Sequence, residues 1–132
     1  MASLQDPAQR AVGIAAVVAQ ALRSVGRDPI LVGGAAVEFY SQGGYSTRDI
    51  DLVAEGGSDL VRVMEQLGFK KMGKDFVDER RKIYLEFPSE NLKPGETTVT
   101  VQVSSYPLRV ISLDDLIVDR LCAFKFWQSG LD

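Results

Sequence analysis

No histidine occurs anywhere in the chain. That excludes a Ser-His-Asp triad, a Cys-His dyad and any histidine-ligated zinc or haem. A metal, if bound, must rely on oxygen ligands, which favour Mg²⁺ or Mn²⁺. Cysteine is nearly absent too. Cys122 stands alone, so no internal disulfide can form, and a reducing cytoplasm is the expected location. Its expected role is packing rather than nucleophilic attack. Long hydrophobic runs are missing as well. The apolar stretch Ala11 to Ala19 is too short to span a bilayer, so no membrane partner is expected. Ala19-Gln20-Ala21 imitates a signal-peptide cleavage site, but Asp6 balances Arg10 and the run belongs to an amphipathic helical pattern. It reads as structure rather than targeting. Nor is there an excess of positive charge. A net charge of −3 and a pI near 5.0 argue against a broad nucleic-acid footprint, though not against a local basic patch.

What is present suits one domain over residues 1–132 with a single core. An apolar content of 45% and a charged content of 25% are those of an ordinary globular chain. Asp6-Pro7 is a helix start. Val12, Ala15, Ala16, Ala19 and Leu22 then recur at helical spacing up to Gly26. Ile30 to Val32 form a short strand, and residues 35–42 a helix with Val37 and Tyr40 inward and Glu38 outward. Gly43-Gly44 opens a loop into a strand at Asp49–Glu55. Ser58 begins a helix with Leu60, Val61, Met64 and Leu67 inside and Gly68 as its C-cap. A hairpin is expected from Phe76-Val77 and Ile83 to Phe87, followed by a loop through Pro94-Gly95. Thr97 to Val103 form a strand that Pro107 breaks, and Leu108 to Ile111 add another. Ser112 and Asp115 then cap a last helix, with Leu113, Leu116, Ile117, Leu121 and Phe124 as its apolar stripe.

The chemistry gathers between Ile30 and Glu55. Gly33 and Gly34 follow an apolar strand and open a helix. A glycine pair lets the backbone turn sharply and approach a ligand, and the N–H groups and dipole of a helix start favour phosphate oxygens. An ordinary tight turn would look the same. Asp49 and Asp51 alternate along a strand and so share one face, while Ile50 and Leu52 point into the core. Their α-carbons should stand ~6.6 Å apart, where like charges repel by about 2–3 kcal/mol at an effective dielectric near 20. A shared Mg²⁺ converts that repulsion into coordination. A solvated strand face carrying two acids is the plainer alternative. Glu86, inside Ile83-Tyr84-Leu85-Glu86-Phe87, offers a third carboxylate, with Asp75 and Asp78 as weaker rivals. Thr47 is placed to bond a phosphate or a carboxylate through its hydroxyl. Arg48 is either a substrate ligand or a surface charge. Arg80 to Lys82 read as a solvated turn, with a contact to triphosphate as the lesser reading.

Together these residues resemble the nucleotidyltransferase superfamily, whose head is DNA polymerase β. Its signature is a glycine pair after an apolar residue, then acid-x-acid, then a third acid on a later strand. Gly33-Gly34, Asp49-Ile50-Asp51 and Glu86 match. The chain is similar in particular to small prokaryotic minimal members, through Thr47 to Asp51, Glu86 to Pro88, and Asp119 to Leu121. The resemblance spans residues 28–132 or so. It implies an α/β (α+β) fold, with a mixed, twisted sheet of about four or five strands and helices mainly on one face. It also implies metal-dependent transfer of a nucleoside monophosphate from a triphosphate. Asp49, Asp51 and Glu86 would be metal-binding and catalytic; Gly33, Gly34, Thr47 and Arg48 would bind nucleotide. The acceptor hydroxyl could belong to a protein, an RNA end or a small molecule, and toxin–antitoxin enzymes are among the analogues. A nucleotide- or partner-binding domain without turnover is the alternative, and a scaffold reusing the fold is a third. In the look-alikes a further helix follows, which led to the expectation of a C-terminally shortened domain. Phe126 and Trp127 suggest a homodimer contact.

Overall fold

A computed structural model describes residues 7–42, 44–45 and 47–129, with side chains described from 11 to 122. In chain order the elements are α1 (Pro7–Arg23), β1 (Ile30–Val32), α2 (Gly33–Ser41), β2 (Asp49–Val53), α3 (Ser58–Gln66), β3 (Lys70–Met72), β4 (Asp75–Asp78), β5 (Ile83–Glu86), β6 (Thr98–Val103), β7 (Tyr106–Ile111) and α4 (Leu113–Ser129). One mixed sheet runs in the order β3-β4-β5-β2-β1-β7-β6. The β1–β7 and β2–β5 pairs are parallel and the remaining pairs antiparallel. Among the described residues there are seven strands, not four or five. Six of them match the strands expected along the chain, and the one without a counterpart is β3: Lys70-Lys71-Met72 is exposed throughout, so no buried face marked it. Pairing with β4 alone makes it a strand.

Alternation divides the sheet into two faces. Leu31, Ile50, Leu52, Leu85, Leu108 and Val110 are all fully buried. They join Ala15, Ala19 and Leu22 of α1, Ala35 and Ala36 of α2, and Leu60, Val63 and Met64 of α3 in one cluster. The inward residues of α1 and α2 are largely alanine, which lets these helices lie close to the sheet. The opposite face carries Asp49, Asp51, Tyr84 and Glu86, brought level by the β2–β5 register. No helix of the chain, among the described residues, is long and apolar enough to cross a membrane.

Several local expectations are corrected. Glu38 does not point outward; it is fully buried. Pro107 does not end a strand. It lies within β7 opposite Gln102, and β7 pairs with β1 only from Arg109 onward, so its missing N–H interrupts no ladder there. In α4 only Leu116 of the expected stripe is buried; Leu113, Ile117 and Leu121 are exposed, as is Val118. Cys122 is exposed rather than packed. The side chains of Phe124, Phe126 and Trp127 lie outside the described residues, as does Asp6. The capping pair at α4 is present: the Asp115 N–H donates to Ser112 Oγ at 3.3 Å, and that hydroxyl donates to Asp115 Oδ2 at 2.7 Å.

The two-faced sheet makes neighbouring residues of β5 differ sharply. Leu85→Ala is expected to cost about 3 kcal/mol in urea unfolding, the scale of buried leucine deletions. Tyr84→Ala, at a half-exposed ring, is expected to cost less than about 1 kcal/mol. Equal costs would contradict the register of this strand.

Candidate active site

Lateral register assembles the acids. Asp51 on β2 pairs with Glu86 on β5, and Glu86 pairs in turn with Asp75 on β4. Residues level across neighbouring strands share a face, with strands about 4.8 Å apart. Asp51, Glu86 and Asp75 therefore form a row, and Asp49 follows Asp51 on the same side of β2. Asp78 falls out of the contest. It pairs with Ile83 on the buried face, where it accepts from Arg80 N at 3.1 Å, Arg81 N at 3.2 Å and Arg81 Nε at 2.6 Å. Burial pushes its carboxyl up, but the bonds from Arg81 and Arg80 outweigh this and hold it below its ordinary value.

The glycine pair meets this row from β1. Val32 is level with Asp51, so Gly33 arrives beside the carboxylate. Gly33 has φ of 64°, and a methyl group on its α-carbon would lie 2.5 Å from Asp51 Oδ2. Both the left-handed backbone and the lack of space require glycine here. Gly34 is different. A methyl there would stand 3.5 Å from the Tyr45 ring and hydroxyl and 3.6 Å from the Thr47 methyl, which is ordinary contact. Helix α2 begins at Gly33, and Val32 before it makes no side-chain cap. The first N–H groups of a helix have no partner within it, and this end carries the positive pole of the helix dipole.

The carboxylates press on one another. Asp51 is raised from 3.8 to about 6, first by burial and then by the charges of Glu86, Asp49 and Asp75, while Arg120 pulls the other way. Arg120 arrives through helix arithmetic. The Tyr40 hydroxyl donates to the Ile111 carbonyl at 2.8 Å, tying the far end of α2 to the residue just before Ser112 and α4. Arg120 lies about two turns into α4, and Gly33 about two turns back along α2. The two helices touch. Glu86 also has a cation nearby, Lys74 Nζ at 3.6 Å.

The donor set consists of hard oxygens on one face, mutually repelling, which fits Mg²⁺ or Mn²⁺ in kind. The spacing is not closed: among the described residues no three such side chains stand close enough to enclose a metal ion. Thr47 and Arg48 are engaged locally. Thr47 Oγ1 accepts from Asp49 N at 3.0 Å, and Arg48 Nη1 donates to the Arg81 carbonyl at 3.3 Å. Arg80 to Lys82 form the β4–β5 turn, with the length of β5 between them and Glu86.

Three residues near the site went unassigned from sequence. Arg120 lies within Asp119 to Leu121, and the signal is its position four residues after the buried Leu116, on the same helix face. Glu38 carried a signal too, since it follows the buried Ala35 at helical spacing. Lys74, an exposed turn lysine, carried none.

No protein-family model matches the chain, and no curated protein does. Among solved structures, the crystal structure of an antigenic nucleotidyltransferase-like protein from Paracoccidioides brasiliensis superimposes with a TM-score of 0.69 at 18% identity, over 95% of this chain and 69% of that one. The chain thus has a nucleotidyltransferase-like fold.

Two outcomes test the geometry. Gly33→Ala is expected to lose roughly 2 kcal/mol, from left-handed strain and the clash with Asp51. Gly34→Ala should change stability by less than about 0.5 kcal/mol, since alanine suits a helix. Comparable losses in urea titrations would show that Asp51 does not press on Gly33. The second outcome concerns pH. A carboxyl whose folded value is raised contributes fully to stability below its unfolded value, here 3.8, and loses that contribution as pH rises through about 6. Such a shift is worth at most about 3 kcal/mol, and screening at a part-exposed group reduces it to about 1 kcal/mol. Asp51→Asn without metal should therefore be more stable than wild type by about 1 kcal/mol near pH 7.5 and equal to it below about pH 4. A gain that does not vary with pH would refute the cause given.

Proposed function

We propose that the protein is a metal-dependent nucleotidyltransferase, moving a nucleoside monophosphate from a nucleoside triphosphate to a hydroxyl acceptor. The observation that carries this reading is Asp51, wedged against Gly33 at the start of α2 in a row of acids. The backbone N–H groups of the first turn of α2 would receive phosphate oxygens. Arg120, from α4, would face the same anion. Asp49 and Asp51 would hold Mg²⁺ or Mn²⁺, with Glu86 joining from β5. The bound ion neutralises charge on the triphosphate and its leaving group. The acceptor oxygen would form a bond to the α-phosphorus as the bond to pyrophosphate breaks, and Glu86 would take the hydroxyl proton. Positioning and charge account for the rest. The acceptor is a protein, RNA or small-molecule hydroxyl.

A second reading, nucleotide binding without turnover, is favoured by Lys74 holding Glu86 and by the open spacing of the acids. Titration of MgATP and MgCTP, together with transfer of α-labelled nucleotide to cell extract, separates the two. The enzyme reading expects labelled product from wild type and a loss of at least about 100-fold in Asp51→Asn. Nucleotide binding without any labelled product would establish the second reading. No binding at all would refute both.

A further inference from the structure

Glu38 is the fully buried acid of α2. An alkyl side chain would pack among Ala35, Ala36 and their neighbours without desolvation cost, whereas a buried carboxylate costs several kcal/mol unless it is bonded. Its Oε1 accepts from the backbone N–H of Thr47, nine residues further on. Thr47 passes the constraint along. Its hydroxyl accepts from Asp49 N at 3.0 Å, and the Arg48 carbonyl between them accepts from Tyr84 N at 3.0 Å. The same loop brings Tyr45 and the Thr47 methyl over Gly34.

Gln42 turns left-handed with φ of 53°, and Gly44 N donates to the Ser41 carbonyl at 3.1 Å, so the near end of this loop is closed against α2. We infer that Glu38 is a positioning residue. Its carboxylate pins Thr47, and through Thr47 it sets both the wall over Gly34 and the height at which Asp49 enters β2. The link to ligand binding rests on the nucleotidyltransferase reading above; the link to loop order does not.

The test compares Glu38→Met, which keeps length and bulk without an acceptor, with Glu38→Gln, which keeps an acceptor oxygen. Amide hydrogen exchange is read at Thr47, and at Leu31 and Val110 as references in the central strands. Mn²⁺ binding is read by electron paramagnetic resonance. Glu38→Met should speed exchange at Thr47 by about tenfold, the scale of one lost bond to a charged group, and leave Leu31 and Val110 unchanged. Mn²⁺ affinity should fall by a similar factor of about ten, and Glu38→Gln should restore most of both. If methionine is not accommodated, Glu38→Ala repeats the comparison. Unchanged exchange at Thr47 overturns the inference, as does equal acceleration at all three amides in both variants. Loosened exchange with unaltered Mn²⁺ affinity removes the link to Asp49. If wild type binds no Mn²⁺, the nucleotidyltransferase reading falls, and the exchange comparison still decides whether Glu38 anchors the loop.

Discussion

The contact between Asp51 and the backbone of Gly33 is the constraint from which the site follows. Two neighbouring strands, β1 and β2, run antiparallel with Val32 level with Asp51. One residue later, beside that carboxylate, the chain turns out of the sheet. A left-handed glycine makes that turn, and α2 starts there. One residue thus joins an acid on a strand to the positive pole of a helix. A Cβ at Gly33 would lie 2.5 Å from Asp51 Oδ2, which closes the position to larger residues while that carboxylate keeps its place.

Charge makes the consequence chemical. Burial, joined by the charges of Glu86, Asp49 and Asp75, raises the Asp51 carboxyl to about 6. Such crowding opposes folding of the metal-free chain, and chains keep it where a bound cation or a proton transfer uses it. The fold shared with a nucleotidyltransferase-like protein says nothing by itself about activity. The arrangement of these particular groups gives the functional reading its weight.

The sheet's two faces were legible from alternation alone. Ile50, Leu52 and Leu85 are buried where the pattern put them, and Asp49, Asp51 and Glu86 share the opposite face. Local rules failed where long-range contacts decide. Lys70-Lys71-Met72 becomes a strand by pairing with β4, Pro107 lies where β1 does not reach, and the buried Glu38 accepts from Thr47 N. Arg120 could be placed only once α4 was known to return along α2. Each of these is settled by which elements become neighbours, information that a residue's own sequence window does not hold.

The balance of charge at the site suits the cation of the proposed function. Four carboxyls, those of Asp49, Asp51, Asp75 and Glu86, act together, and Asp51 feels the other three. Against them stand Arg120 and Lys74. Lys74 is itself a weak partner: its side chain is 78% exposed at 3.6 Å from Glu86, and an exposed pair of this kind is worth about 0–1 kcal/mol. Glu86 is therefore held lightly and can turn toward Asp51 at little cost. Arg120, which is exposed as well, acts on Asp51 through its charge, and an arginine beside a carboxylate row would repel a bare cation but accept one that arrives with phosphates. Under the proposed function, ion and triphosphate would bind as a unit, since each would supply the charge that the other's half of the site lacks.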